Sequence, residues 1–346
     1  MHQSHDVSSR QNIRGKLEQL RAAAGGGPVL ILTHDNPDPD SLASGKTLAY
    51  LFQQAWGITS HLIYNGLVTR AENQAMLNLL TPEWQPFELM DDWHQYSAIA
   101  LVDTQPGAGN NSLQLQLAPQ IVIDHHHATR STLEQVPFVD IQTEAGSTVS
   151  IIYPYLEAAG VALDAQLATA IFYGIQTDTR GLTRDSSLLD QKIYFQLLPL
   201  IDHGLLVKIE QAGLPREYFR AFVRGLQSAR LYQKTVVSYL GAMHRPDFVA
   251  EIADMLIRLE NMQAVLCMGY HGATLYLSMR TAAPDPDAGL LIQSVISGLG
   301  QAGGHGMIAG GQVPLADRSP GEIAAQIEKQ FVSLLEGSTS PGTSLL

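Results

Sequence analysis

The sequence predicts an α/β protein: a parallel-sheet domain followed by a smaller α/β domain, with the active site expected in the cleft between them. Three observations predict it. Short apolar runs alternate with helix-spaced stretches through the first half, those runs are of strand length, and a second strand-and-helix pattern begins after a helical connector. At about 150 residues per domain, 346 residues suit two domains, each able to bury its own core.

In chain order, the strands are expected at 28–33, 58–64, 97–102 and 119–123, with a helix over 42–55. Asp164 is placed to cap a helix over 165–175. The pattern from 187 to 234 is helical, broken near Gly213–Pro215. Then come a strand at 236–242, a helix at 249–260, strands at 263–269 and 273–279, and helices at 288–299 and 321–335. The expected organisation is therefore 1–212, with a connector at about 205–234, then 213–337, and a flexible Gly/Ser/Thr/Pro tail at 338–346. Arg216, Arg220 and Arg224, spaced i, i+4, i+8, share one connector face, either as a solvated face or as an electropositive wall.

Composition narrows the function. Apolar residues make up 45% and charged residues 16% of the chain, below the ~25% charged content of typical soluble proteins. Mean hydropathy is +0.01. No apolar run approaches the ~20 residues a membrane helix needs, and the first residues lack the basic and apolar regions of a signal peptide. One cysteine, Cys267, excludes an intrachain disulfide framework and a cysteine-based zinc cluster. No membrane role and a cytoplasmic setting are expected. A net charge of −12 argues against duplex DNA as a partner.

Four clusters carry the chemistry. His34-Asp35-Asn36-Pro37-Asp38-Pro39-Asp40 follows the first strand, and its two prolines predict a rigid turn rather than a helix start. Asp103 ends the strand at 97–102, Asp124-His125-His126-His127 ends the one at 119–123, and Asp178 terminates the helix at 165–175. Alone, each reads as a cap or a turn. Parallel strands point their carboxyl ends the same way, however, so these groups can converge where open α/β sheets bind ligands. The set His34, Asp38, Asp40, Asp103, His125 and Asp178 is hard and oxygen-rich, favouring Mn²⁺, with Mg²⁺ an alternative. Six ligands suit two ions sharing a carboxylate, and such pairs promote phosphoryl displacement.

The quartet of HisAspAsnProAspProAsp, ValAsp, AspHisHis and ThrAspThr resembles the DHH phosphoesterase family. Ser278-Met279-Arg280 and Gly303-Gly304-His305-Gly306 resemble the DHHA1 domain that follows DHH in one branch. The resemblance implies that His34 and Asp38 hold one ion and Asp40, His125 and Asp178 the other, with Asp103 bridging. It makes His126 and Asp103 the catalytic residues, with His126 on the scissile phosphate and Asp124 orienting the histidines. Asn36, His126, Arg280 and the loop Gly303, Gly304, His305 would bind substrate. The chain looks most like bacterial enzymes that degrade very short RNA oligonucleotides and dephosphorylate 3′-phosphoadenosine 5′-phosphate. Pro39, Ser41 and Thr179-Arg180-Gly181 depart from that group's usual pattern and leave the exact substrate open.

The glycine-rich stretch fits an anion site on its own terms. From Ala288 to Ala316 there is no Asp, Glu, Lys or Arg, and there are eight glycines, which let backbone N–H groups approach a phosphate. From Val236 onward five Lys/Arg face ten Asp/Glu, so no basic track for long nucleic acid is expected. Short single-stranded oligonucleotides or nucleotides are the expected partners, with the oligomeric state, homodimer included, left open. The competing classes are a cyclic- or linear-dinucleotide phosphodiesterase, a manganese pyrophosphatase and a catalytically silent nucleotide sensor.

Overall fold

The computed structural model describes residues 2–90, 92–114, 116–127, 131–337 and 341–346, without the side chains of 2–11, 131 and 305. The chain divides into two compact units, Met1–Ala212 and Gly213–Leu346.

The first unit runs α1 (His2–Ala24), β1 (Val29–Leu32), α2 (Pro39–Trp56), β2 (Ser60–Tyr64), α3 (Ala71–Leu79), β3 (Trp84–Pro86), β4 (Ala98–Val102), β5 (Ile121–Asp124), β6 (Phe138–Ile141), α4 (Thr148–Ala159), α5 (Ala165–Asp178), α6 (Leu188–Leu197) and α7 (His203–Glu210). Its six strands form one sheet in the order β3-β2-β1-β4-β5-β6, parallel throughout. The runs ValLeuIleLeu, AlaIleAlaLeuVal and IleValIleAsp are buried along their whole length, as strands covered on both faces must be. The strand order reverses between β1 and β4, the switch point beside which such sheets bind ligands.

Five departures from the sequence reading stand out here. The segment after β1 bends at Asp35 and Asn36 but then starts a helix at Pro39, where a rigid turn rather than a helix start was expected. Asp38 caps α2 by accepting from the Ser41 N–H at 3.0 Å, and the Ser41 hydroxyl accepts from the Asp38 N–H. Pro39 occupies the first helical position, where a missing N–H leaves no bond unmade. The elements α1, α3, β3, β6 and α4 add to the predicted set. The remaining three departures lie in the second unit: the helical connector ends early, the glycine-rich segment forms a hairpin, and the end of the tail is ordered.

The second unit contains α8 (Arg216–Ser228), β7 (Arg230–Leu231), β8 (Thr235–Ala242), α9 (Phe248–Leu256), β9 (Ala264–His271), β10 (Thr274–Thr281), α10 (Ala288–Val295), β11 (Gln301–His305), β12 (Ile308–Pro314), α11 (Pro320–Glu336) and β13 (Thr343–Ser344). Its sheet, in the order β11-β12-β10-β9-β8-β7-β13, is mixed, with β8 and β9 parallel and the other pairs antiparallel. The helical pattern expected to reach 234 stops at Ser228 because β7 begins at Arg230. Gly303, Gly304 and His305 lie on β11, not in a loop, paired with Gly310, Ala309 and Ile308 of β12. Glycine's weak strand propensity hid this hairpin from the sequence. The tail expected to be flexible is ordered at its end: β13 pairs with β7, and the Leu345 N–H donates to the Ala229 carbonyl.

Candidate metal centre

Every acidic and imidazole group of the predicted set emerges at the carboxyl end of a first-unit strand or at the facing end of α5. β1 leads into His34 and then α2, which supplies Asp38 as its cap and Asp40 in its first turn. Asp103 follows β4 with a φ of 60°, a left-handed conformation uncommon outside glycine, and its N–H donates to the Ile123 carbonyl of β5. Asp124 ends β5 and places His125 and His126 next. Asp178 closes α5, which packs against α2 at Gly174; a Cβ there would stand 3.2 Å from Ala43 Cβ and 3.3 Å from Asp40 Cα. That close approach puts Asp40 and Asp178 in one site.

Three groups of ligand atoms form, each with all atoms within 4.8 Å of one another: His34, Asp38 and Asp103; Asp40, His125 and Asp178; and Asp103, His125 and His126. Asp103 uses one oxygen toward each side. Oδ2 lies 3.4 Å from His34 Nε2, and Oδ1 lies 3.6 Å from His125 Nε2. The remaining spacings are 3.7 Å for His34 Nε2 to Asp38 Oδ1 and 3.5 Å for His125 Nε2 to Asp178 Oδ2.

Both histidines are set as ligands by the carbonyls behind them. A carbonyl only accepts, so His34 Nδ1 donates to Asp35 O at 3.0 Å and His125 Nδ1 donates to Ala145 O at 3.1 Å. Each ring therefore carries its proton on Nδ1 and turns Nε2 to the carboxylates. The donor set fits a divalent ion of the Mn²⁺ or Mg²⁺ class: hard oxygens and imidazole nitrogens, with the one cysteine, Cys267, buried in the second unit.

The electrostatics show what the cluster lacks without a cation. Burial, reinforced by the charges of Asp103 and Asp38, holds Asp40 well above the ordinary carboxylate range. Burial and the charges of Asp38, Asp40 and Asp103 do the same to Asp178. Burial alone would lower His34, but hydrogen bonds and charge from Asp103 and Asp38 outweigh it and hold the imidazole well above its usual value. Asp38 is pushed the other way: burial is overcome by its hydrogen bond to His34 and by that residue's charge. Like carboxylates this close retain protons until something positive replaces them.

His126 is the more accessible histidine, with 44% of its side chain exposed. Its Nδ1 lies 2.8 Å from Asp124 Oδ1, and this bond, together with the Asp103 charge, overcomes burial and pushes it up to about 9. Asp124 is buried behind it and held below its usual value by the same bond, against the effect of burial.

The substrate-side residues fall out differently. Asn36, exposed and at a φ of 58°, accepts the Leu67 N–H through Oδ1 at 2.8 Å. Gly303 and Gly304 are exposed on an edge strand, Gly304 at a φ of 137°; the His305 side chain lies outside the described residues. Arg280, expected as an open phosphate fork, is 5% exposed. Its Nε donates to Asp254 at 2.6 Å, and its Nη1 donates to Ser278 Oγ and the Met279 carbonyl. Arg216, Arg220 and Arg224 line a groove on α8 with Phe219, Val223 and His244.

Sequence reasoning missed several residues around the cluster. Gln105, buried, donates through Nε2 to Asp124 Oδ2 at 2.8 Å, so it braces the support of His126. Arg184 Nη2 donates to the Asp178 carbonyl at 2.7 Å. The Thr148 hydroxyl donates to Asp103 Oδ1 at 2.7 Å. The one available signal was Ser147, a capping residue ahead of the apolar run that becomes α4.

Residues 28–175 match the DHH family, N-terminal domain. An uncharacterised protein of Methanocaldococcus jannaschii is 32% identical over 290 residues, 83% of this chain and 58% of that protein. A protein named as a probable manganese-dependent inorganic pyrophosphatase of Streptococcus agalactiae is 23% identical over 151 residues, 44% of this chain and 48% of its own length. The chain thus spans about half to three-fifths of the curated relatives it matches. Among solved structures, an exopolyphosphatase-related protein from Bacteroides fragilis superimposes with a TM-score of 0.76 at 14% identity, covering 94% of this chain and 97% of that one. RecJ in complex with Mn²⁺ from Thermus thermophilus gives 0.58 at 14% identity, covering 95% of this chain and 55% of that one. At such identity these two establish the fold. Residues 28–175, whose strand ends carry the cluster, thus form a domain of the DHH family.

Proposed function

We propose that the chain is a two-metal phosphoesterase acting on short single-stranded oligonucleotides and on nucleotide phosphates such as 3′-phosphoadenosine 5′-phosphate. The observation that carries the reading is the pair of ligand groups meeting at Asp103, one carboxylate oxygen toward each. His34, Asp38 and Asp103 would hold one ion and Asp40, His125, Asp178 and Asp103 the other, Mn²⁺ by preference. When bound, such a pair activates water and neutralises charge building on a phosphate.

The chain's own residues supply the rest. His126, pushed up to about 9 by its bond to Asp124 and the nearby carboxylate charge, is placed to donate to a phosphoryl oxygen while Asp124 fixes its ring. Gln105 keeps Asp124 in place from behind. In the second unit, taken as the DHHA1-type substrate domain (213–337), Arg280 is the phosphate donor and Asp254 its resting partner. The edge strand β11 leaves one row of backbone groups outside the sheet, where an anion can meet an N–H donor of the Gly303–Gly304 stretch. The same reading takes the cytoplasm as the working compartment, in keeping with a single, buried cysteine. None of the helices among the described residues is long and apolar enough to cross a membrane.

A turnover panel with Mn²⁺ supplied tests the substrate class: 3′-phosphoadenosine 5′-phosphate, pApA, a pentanucleotide, a 50-mer, cyclic di-AMP and pyrophosphate. The proposal expects mononucleotides released from the dinucleotide and pentanucleotide, with activity declining on longer chains. Equal turnover of the 50-mer overturns the short-substrate reading. Turnover of pyrophosphate alone makes the chain a pyrophosphatase.

A further inference from the structure

Within five consecutive residues that belong to none of the four sequence clusters, Ala145–Val149, three touch three of the six expected ligands. At the entry to α4, the Thr148 and Val149 N–H groups donate to Asp40 Oδ2 and Oδ1 at 2.6 and 3.0 Å. The Thr148 hydroxyl donates to Asp103 Oδ1 at 2.7 Å, and the Ala145 carbonyl accepts from His125 Nδ1 at 3.1 Å. Asp40, Asp103 and His125 come from α2, from the end of β4 and from the end of β5, so the segment ties together three parts of the sheet's ligand-bearing edge. Thr148, Asp40 and Asp103 are all buried, which leaves water no part in these bonds.

The segment is itself fixed. The buried Asp190 carboxylate on α6 accepts from the Gly146 N–H at 2.8 Å and the Ser147 hydroxyl at 3.3 Å, and it touches none of the ligands. Gly146 has no room for a side chain: a Cβ would stand 2.7 Å from both the Asp185 carbonyl and Thr179 Cγ2, one residue beyond Asp178. The segment is thereby pinned against the chain that carries a fourth ligand.

We infer that Ala145–Val149 is a ligand-positioning element, in which Thr148 couples the two ion positions. Its backbone holds Asp40 of one ligand group, and its hydroxyl holds Asp103, the residue shared by both. Two physical needs are met. The N-terminus of α4 offsets the charge of a buried aspartate that sits among three others. The hydroxyl uses one acceptor position on Asp103 Oδ1 and so fixes the plane of the carboxylate, with Oδ2 facing His34. The inference rests on the two-ion reading but not on the identity of the substrate.

The test is Mn²⁺ binding to the full chain, followed by calorimetric titration and by electron paramagnetic resonance, with the metal-free thermal midpoint as a folding control. Thr148→Val keeps the shape and the backbone donors to Asp40 and removes only the hydroxyl; Thr148→Ser restores it. The expected result is about a 10- to 100-fold loss of Mn²⁺ affinity for T148V, the range seen when groups supporting metal ligands are removed, and near wild-type affinity for T148S. If T148V fails to fold, Thr148→Ala serves in its place with the same expectation. Wild-type affinity in the hydroxyl-free variant overturns the inference, as does a T148S protein as weak as T148V. A wild-type chain that binds no divalent ion overturns the two-ion reading itself, and the positioning role with it.

Discussion

The two units are built from opposite materials. At the strand ends of the first unit, four carboxylates and three imidazoles crowd together, most of them oriented by hydrogen bonds from behind. In the second unit, the stretch from Ala288 to Ala316 has no Asp, Glu, Lys or Arg, and Arg280 of the neighbouring strand β10 is buried against Asp254. The first arrangement depends on side-chain identity and needs cations to relieve it. The second depends on backbone shape. A change in either should therefore leave the other working.

The largest effect belongs to the shared carboxylate. Asp103→Asn keeps the shape and tolerates the left-handed backbone while removing the charge, and it should lower turnover on the order of 10³-fold or more without lowering the metal-free thermal midpoint. Retained turnover would remove the bridging role. In the second unit, Arg280→Gln should raise KM about 10- to 100-fold at nearly constant kcat, as the proposed role of Arg280 as a substrate donor requires, while Mn²⁺ affinity stays put. An unchanged KM would overturn that role.

A pH series separates the units further. Asp40, Asp178 and His34 are all raised in the metal-free site, so ions must displace protons to bind. Mn²⁺ affinity should therefore rise with pH, by up to about tenfold per unit for each proton released, and fall as the site is acidified. Calorimetry in buffers of different ionisation enthalpy counts those protons; zero release contradicts the electrostatic account. The smallest effect on the metal should come from Gly304→Val. Gly304 has a φ of 137°, and a Cβ there would lie 2.4 Å from the Ile308 carbonyl, so the second unit should lose about 1–3 kcal/mol or more. Mn²⁺ affinity should stay within about twofold.

The same contrast explains what the sequence made legible. Charged and imidazole side chains at the ends of apolar strands announce themselves, because a parallel sheet forces those ends to converge. His34, Asp38, Asp40, Asp103, His125 and Asp178 could be picked out before any coordinates. Their supports could not. Thr148 and Gln105 are ordinary residues whose importance lies in which carboxylate they meet across 45 and 19 positions of sequence. The prolines around Asp38 misled for a local reason: a proline that breaks a helix interior is welcome in its first turn. In the second unit, the glycine-rich hairpin was hidden by glycine's weak strand propensity. Arg280 was found, but its partner Asp254 lies 26 residues away on α9 and left no trace in the pattern.

The central claim is that one cluster holds two ions with Asp103 between them. Anomalous diffraction from crystals grown with Mn²⁺ tests it most directly. The account predicts two peaks about 3.5–4 Å apart, one beside His34 and Asp38 and one beside Asp40, His125 and Asp178, with an Asp103 oxygen at each. A single peak, or two peaks without Asp103 between them, would contradict it.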